Sequence, residues 1–171
     1  MIKWAIGDTH FDHEKIIEYC DRPFSSAEEM NEIMIANWNS VVDNEDIVYH
    51  FGDFSCGKGS RHNIAQIRAR LNGHIFLLKG NHDRESKSWY NRAGFEFVVG
   101  GEYWVYASDI LLSHRPYPIK NPLFNIHAHT HNLMHLTETK LYFSVSVEQI
   151  NYTPINLDEL VEKLRKDRYA S

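Results

Sequence analysis

Apolar residues recur along this chain in two rhythms. Short runs rich in Val, Ile, Leu and aromatic residues stand at 2–6, 47–51, 75–78, 95–99, 102–106, 110–112, 124–127 and 141–147. They are too short for helices and are bounded by Gly, Asp, Asn or Pro, so they are predicted as strands. Elsewhere the period lengthens to that of a helix. SSAEEMNEIMIANWNSV sets Met30, Ile33, Met34, Asn37 and Trp38 at helical spacing behind Ser26, with Glu29 three residues on, the pattern of a capping box. SRHNIAQIRARLNG puts Ile64, Ile67 and Leu71 on one face and stops at Gly73, which suits a left-handed C-terminal cap. NLDELVEKLRKDR starts at an Asn156 cap and aligns Leu157, Leu160, Val161 and Leu164, its basic end facing solvent and suiting the helix dipole. Strands alternating with helices predict an α/β fold with a largely parallel sheet. Residues 116–122, with three prolines, read as a surface loop.

At 171 residues, with no repeat, low-complexity tract or linker, one domain over 1–171 is expected. Apolar content of 43% and charged content of 24% exclude a disordered or fibrous chain. MIKWAIGDTH reaches Gly7 and Asp8 after too few apolar residues for a signal segment, and no run approaches a membrane span, so a cytoplasmic protein with no membrane partner is expected. Cys20 and Cys56 have neither zinc-ribbon spacing nor a disulfide framework; they fit a reducing compartment and read as buried small hydrophobes. A net charge of −5 weighs against a duplex nucleic acid as partner, although bound divalent cations would change the local field.

The notable polar residues each follow a predicted strand: GDTH after IKWAI, GDF after DIVYHF, GNHD after IFLLK, SH after DILL, and HTH after FNIHA. In open α/β sheets ligands bind beyond the carboxyl ends of the strands, so these groups are expected at one rim. Asp8 and His10 offer a carboxylate and an imidazole to the same cation. Gly52 lets the backbone turn before Asp53. Asn81 offers a neutral carbonyl, and His82 an imidazole free to act as a general acid. His114 follows, and on an extended segment His129 and His131 would face the same side. Three carboxylate or amide oxygens and four imidazoles suffice for two borderline transition-metal ions if one carboxylate bridges them. No Ser-His-Asp order, P-loop or dinucleotide fingerprint competes.

The ordered series GDTH, GDF, GNHD, SH and HAHTH resembles the calcineurin-like metallophosphoesterase family, whose pattern is D-x-H, G-D, G-N-H-D/E, H and G-H-x-H. It spans Asp8 to His131. HFDHEKIIEYCDRPF and SVSVEQINYTPINLDEL further resemble small, uncapped members found in bacteria and their viruses. The resemblance implies an α/β sandwich of two packed mixed β-sheets flanked by helices. It also implies Asp8, His10 and His131 on one divalent metal, Asn81, His114 and His129 on the other, Asp53 bridging both, and His82 as catalytic acid. Manganese is the foremost candidate, and iron, zinc, nickel and cobalt suit the same donors. Ala128 stands where the family usually has Gly; its methyl costs little at negative φ and strains the turn at positive φ.

The expected function is a metal-dependent phosphoesterase that hydrolyses small phosphodiesters or phosphomonoesters, nucleotides included, by a metal-bridging hydroxide. His82 would stabilise phosphoryl charge or protonate the leaving alkoxide. The segment between His82 and His114 is short and mostly strand-like, leaving no room for a large cap. Arg84 and Arg115, with Arg22 and Lys58, are candidate phosphate contacts, and Phe11, Phe54 and Tyr117 candidates for stacking on a base. His13, His50 and His127 flank the motifs as candidates to orient ligands, whereas His62, His74 and His135 read as surface or helix-end residues. A nuclease of the same chemistry is the alternative, disfavoured by net charge and the missing DNA-binding domain. A non-catalytic scaffold is disfavoured by His82, which a structural metal site does not need.

Overall fold

The computed structural model describes residues 1–56, 60–120, 123–133 and 140–169; Lys58, Pro122 and His135 lie outside them. In chain order the elements are β1 (Lys3–Ile6), α1 (Glu14–Tyr19), α2 (Ala27–Val41), β2 (Ile47–His50), α3 (Ser60–Arg70), β3 (His74–Leu78), α4 (Lys87–Arg92) and β4 (Phe97–Val99). They continue with β5 (Trp104–Ala107), β6 (Ile110–Leu112), β7 (Phe124–His127), β8 (Tyr142–Ser144), a 3-10 turn at Val147–Gln149, β9 (Ile155–Asn156) and α5 (Leu157–Tyr169). One sheet has five strands in the order β4-β3-β2-β1-β9, the other four in the order β5-β6-β7-β8. β1 to β4 run parallel and β9 antiparallel to β1; β6 to β8 run parallel and β5 antiparallel to β6. Both sheets are therefore mixed, as the family resemblance implied.

Alternation along the strands assigns the two faces of the first sheet to different partners. Ile6, Val48, Ile75 and Leu77 pack with Met30, Met34 and Trp38 of α2 and with Ile64, Ile67 and Leu71 of α3. Ala5, Tyr49 and Leu78 meet Ile110, Leu112, Phe124 and Ile126 of the second sheet, together with Leu157, Leu160, Val161 and Leu164 of α5. Each aliphatic side chain so buried contributes about 1.5–3 kcal/mol, which ties the strand ends into a rigid frame. Register completes the alignment: Ile6 lies beside His50, His50 beside Leu77, and Leu112 beside Ile126. Among the described residues no helix is long and apolar enough to cross a membrane.

Local chemistry explains most element ends. Ser26 Oγ accepts from the Glu29 N–H at 3.1 Å, but the Glu29 carboxylate takes the Ser25 N–H at 2.6 Å instead of closing the box on Ser26. Gly73 sits at φ +85°, three residues past the end of α3, the left-handed stop its type suggested. Asn156 Oδ1 caps α5 through the N–H groups of Asp158 and Glu159, both at 3.1 Å.

Other expectations are corrected. Ile33 is 39% exposed; the buried stripe of α2 is Met30, Met34 and Trp38, four residues apart. The segment between His82 and His114 contains α4, capped by Ser86 through the Trp89 N–H, so it is not mostly strand-like. The run 141–147 keeps only Tyr142–Ser144 as strand. Beyond it the chain crosses to the first sheet, where Gly7 N–H donates to Val145 O at 2.8 Å and Val147 N–H to Gly7 O at 3.1 Å. That crossing links the two sheets beside the rim.

Candidate metal centre

β1, β2 and β3 of the first sheet and β6 and β7 of the second all deliver their following loops to this rim. His129 N–H donates to Asp8 Oδ2 at 2.6 Å, and His10 stacks on His131 with ring centroids 5.2 Å apart. Asp53 Oδ2 lies 3.6 Å from His10 Nε2 and 3.4 Å from His114 Nε2. Among the described residues four groups have a geometry that could hold an ion, His10 with His13 and Cys56 and Cys20 with His131 and Glu148 among them; the two that match the predicted ligands are Asp8, His10 and His131, and Asp53, His114 and His129. Asn81 adds its Oδ1 to the second, 3.1 Å from His114 Nε2.

The loops reach this arrangement by an unusual backbone route. Asp8, His10, Asp53, His129 and His131 have φ of 55°, 47°, 53°, 68° and 49°, in the left-handed region that residues with a Cβ disfavour. The expected extended segment at His129 and His131 is thus corrected: β7 ends at His127, and the two histidines curl, one to each group. Ala128 is not among the left-handed residues, so its methyl is unstrained; it is fully buried. A Cβ on Gly7 would stand 2.7 Å from the Ala128 Cβ and 2.9 Å from that of Phe51, which is why residue 7 is glycine.

Tautomers follow from the hydrogen bonds. His114 Nδ1 donates to Phe51 O at 2.7 Å, so the Nε2 lone pair faces Asn81 Oδ1 at 3.1 Å, His129 Nδ1 at 3.2 Å and Asp53 Oδ2. Such a gathering of acceptors suits a cation with borderline preference for nitrogen and oxygen. Asp8 Oδ1 and both ring nitrogens of His10 are buried without a hydrogen-bond partner among the described residues, a condition native interiors seldom leave uncompensated. The residues therefore fit divalent metal ions.

Electrostatics agree. Burial pushes the Asp8 carboxyl up to about 6 and the His10 imidazole down to about 2. Burial lowers His131 as well, but the Cys20 thiol and the Glu148 and Asp8 carboxylates more than reverse it, to about 10. At His114 burial is likewise outweighed, by Asp53 and Asp8, and the pKa is raised. At these two rings the neighbouring carboxylates favour positive charge. His129, pushed down to about 4 by burial and by its neighbour His114, stays a neutral lone-pair donor.

His82 stands outside both groups. Its N–H donates to Asp53 Oδ1 at 2.8 Å, its ring meets the His10 ring edge-on at 5.3 Å, and its Nδ1 lies 3.3 Å from Cys56 Sγ. Cys20 is buried as expected, but Cys56 is only half-buried and is this neighbour of His82, not a core hydrophobe. Arg115 is exposed at the second group, with Nη2 3.4 Å from Asn81 Oδ1; Arg84 is exposed and its charge is felt at Cys56.

Three other candidate contacts are corrected. Arg22 is buried: it donates to Glu148 Oε1 at 2.7 and 2.9 Å, to Thr9 O at 2.9 Å and to Asp8 O at 2.7 Å, and has no face left for a phosphate. Phe11 and Phe54 are fully buried against one another, ring centroids 5.2 Å apart, and cannot stack on a base.

Four supporting residues had no role assigned from sequence, or the wrong one. Asp83 accepts the N–H groups of Asp53, Phe54 and Gly80 at 2.7, 3.1 and 2.8 Å, locking two motif loops together. Ser146 Oγ donates to Asp8 Oδ2 at 2.6 Å. Glu148 accepts from His131 Nδ1 at 3.0 Å while neutralising Arg22. Their only signal in the sequence was the charge of Arg22 in CDRPF, of Asp83 in GNHD and of Glu148 in SVSVEQ, and Ser146 carries none. His50, flagged as a candidate orienter, accepts the Gly52 N–H on Nδ1 at 3.2 Å and donates from Nε2 to Thr9 Oγ1 at 3.0 Å, bracing the first two loops. His127 donates from Nδ1 to Ala128 O at 2.8 Å, and His13 is half-buried with Nδ1 unpartnered among the described residues. His62 is exposed near the start of α3, and His74, 3.6 Å from Glu96, opens β3 at the end opposite the rim.

The chain belongs to the calcineurin-like phosphoesterase family, whose model matches residues 3–169, and a metal-dependent phosphoesterase is the class this membership supports. An uncharacterized protein of Methanocaldococcus jannaschii is 37% identical over 178 residues, covering 96% of this chain and 92% of its own length. The Gene 66 protein of Mycobacterium phage L5 is 30% identical over 136 residues, or 67% of this chain and 63% of its own. Among solved structures, a protein of unknown function from Aquifex aeolicus shares the fold with a TM-score of 0.70 at 24% identity, over 94% of this chain and 98% of that one.

Proposed function

We propose that residues 1–171 form one domain acting as a dinuclear metal-dependent phosphoesterase on small phosphodiesters or phosphomonoesters. The observation that carries this reading is a single carboxylate oxygen, Asp53 Oδ2, lying 3.6 Å from His10 Nε2 and 3.4 Å from His114 Nε2, between the two groups. Asp8, His10 and His131 would hold one cation, Asn81, His114 and His129 the other, and Asp53 both. Manganese is the proposed ion, and iron, zinc, nickel and cobalt suit the same donors. When bound, such a pair supplies Lewis acidity toward a phosphoryl oxygen and a water of lowered pKa.

The chain's own residues do the positioning. Asp83 and the His82 N–H fix the Asp53 loop and carboxylate, and Phe51 O fixes the His114 ring. Glu148 holds the His131 ring by its Nδ1–H. The His82 imidazole, beside the first group without belonging to it, protonates the leaving alkoxide oxygen. Arg115 on the Asn81 side and Arg84 on the Cys56 side are the guanidiniums available to phosphate oxygens. A cytoplasmic location is proposed from the sequence, whose two cysteines have neither zinc-ribbon spacing nor a disulfide framework.

The test is turnover of bis-p-nitrophenyl phosphate by protein reconstituted with Mn²⁺, with metal per chain measured alongside. Asp53→Asn is expected to lose activity and metal together. A fully active metal-free preparation overturns the two-metal reading. Two bound ions with no turnover of mono- or diesters favour a scaffold, and salt-sensitive cleavage of oligonucleotides favours a nuclease.

A further inference from the structure

A cleft of about 420 Å³ opens on the Asn81 and His114 side of the candidate metal centre. Arg115, Pro116, Tyr117 and Gly101 continue its lining. We propose that this cleft seats the retained ester arm of a phosphodiester, that the arm is planar, ring-bearing and uncharged, of nucleoside size, and that its phosphate lies at the candidate metal centre. The proposal rests on the phosphoesterase reading above and assigns it a substrate class.

Position comes first. Asn81 and His114 belong both to the second acceptor group and to the cleft wall, so a phosphate held there has the cleft as neighbouring space. His82 does not line the cleft; it packs on His10 of the first group. A leaving oxygen directed at His82 therefore sends the other arm toward Arg115 and Tyr117.

The walls decide the chemistry of that arm. The volume is in the range of small-molecule sites, well beyond what a methyl or ethyl group fills. Pro116 and Tyr117 supply an apolar face that is firmly held. Tyr117 N–H donates to Asn125 Oδ1 at 2.8 Å, Tyr117 O accepts from Tyr142 Oη at 3.2 Å, and its ring rests on that of Tyr103 with centroids 4.6 Å apart. A rigid aromatic wall favours a flat ring by stacking. A second phosphate is disfavoured because the other cation of the lining, Lys79, is already committed. It donates to Glu85 O at 2.6 Å and lies over the Tyr90 ring, while the Glu102 carboxylate also lines the cleft.

Gly101 makes the proposal testable without unfolding the chain, since a Cβ there would meet nothing within 4 Å and its φ is not left-handed. Gly101→Trp is expected to fill the cleft while metal content stays unchanged. Two substrates that both release p-nitrophenolate differ only in the retained arm: bis-p-nitrophenyl phosphate keeps an aryl ring, methyl p-nitrophenyl phosphate a methyl group. With Mn²⁺-loaded protein, Gly101→Trp is expected to lower kcat/KM on the aryl substrate by about tenfold or more and on the methyl substrate by less than about twofold. Tyr117→Ala should act in the same sense. Independently of catalysis, calorimetry on Mn²⁺-loaded protein should show adenosine 5′-phosphate binding about tenfold tighter than inorganic phosphate, an advantage Gly101→Trp removes. Equal losses on both substrates, no loss on either, or a nucleotide bound no tighter than phosphate overturns the cleft assignment. Absence of turnover in the unmodified protein overturns the phosphoesterase reading instead, and the calorimetric comparison then decides the cleft alone.

Discussion

His129 donates its backbone N–H to Asp8 Oδ2 at 2.6 Å, across 121 residues of chain. Ser146 Oγ donates to the same oxygen at 2.6 Å, so both donors sit on Oδ2 and Oδ1 is left facing the proposed metal position. Ser146→Ala should let the carboxylate rotate. Affinity for one of the two ions is expected to fall by about 10–100-fold, the usual cost of losing such a support. A competitive metal titration checks this: at limiting metal the variant should retain one ion per chain. Two ions held with undiminished affinity would mean that the His129 bond alone orients Asp8.

His82 separates an enzyme from a metal-stabilised scaffold. His82→Ala is expected to keep both metals and the fold while turnover falls by about 10²–10⁴-fold. The loss should be greater on alkyl esters than on p-nitrophenyl esters, because an aryl oxide leaves readily without a proton. Equal losses would move His82 to stabilising phosphoryl charge, and loss of an ion would make it a ligand.

Away from the rim, Asp46 sets a pH limit on the fold. Its carboxylate accepts the Ile2 N–H at 2.7 Å, Trp4 Nε1–H at 2.9 Å and the Asp43 N–H at 3.1 Å, and these bonds hold its pKa below the ordinary carboxylate value. A group depressed in this way stabilises the folded state above its unfolded pKa, and that stability is lost as pH falls through the folded value. Asp46→Asn should therefore lower the urea midpoint at pH 7, and the gap to the parent protein should narrow below pH 4. A gap that widens on acidification would contradict the assignment.

At the sheet crossing, Gly7→Ala places a methyl 2.7 Å from the Ala128 Cβ and 2.9 Å from the Phe51 Cβ. Overpacking of this kind costs roughly 1–3 kcal/mol. Ala128→Gly in the same chain should recover part of that loss but not all, since Phe51 remains. Urea unfolding of the two single variants and the double variant measures the coupling; strict additivity would show that the methyls do not meet.

The site was more legible in the sequence than its supports were. Asp8, Asp53, Asn81, His82 and His114 each follow a strand within four residues, so local order was enough to place them at one rim. Arg22, Asp83, Ser146 and Glu148 were not legible because their meaning lies in distant partners: Ser146 and Asp8 are 138 residues apart, and Arg22 and Glu148 126. Phe11 and Phe54 looked free to stack because they adjoin the motifs. A bridge between Phe11 and Ser55 draws both loops inward and buries the rings. The helices α1 and α4, six residues each, are too short to show a period, whereas α2, α3 and α5 declared themselves by their apolar stripes.

The left-handed backbone at Asp8, His10, Asp53, His129 and His131 sets chemistry and durability against each other at the same five positions. Glycine is the residue such a conformation tolerates best, yet glycine there would remove the side chain proposed to hold a metal. Laboratory selection for heat resistance alone would then tend to erode these loops first, yielding sturdier proteins with an emptied rim. Any programme to harden this scaffold has to select for turnover at every round, and to seek its gains in the helices that cover the far face of the first sheet.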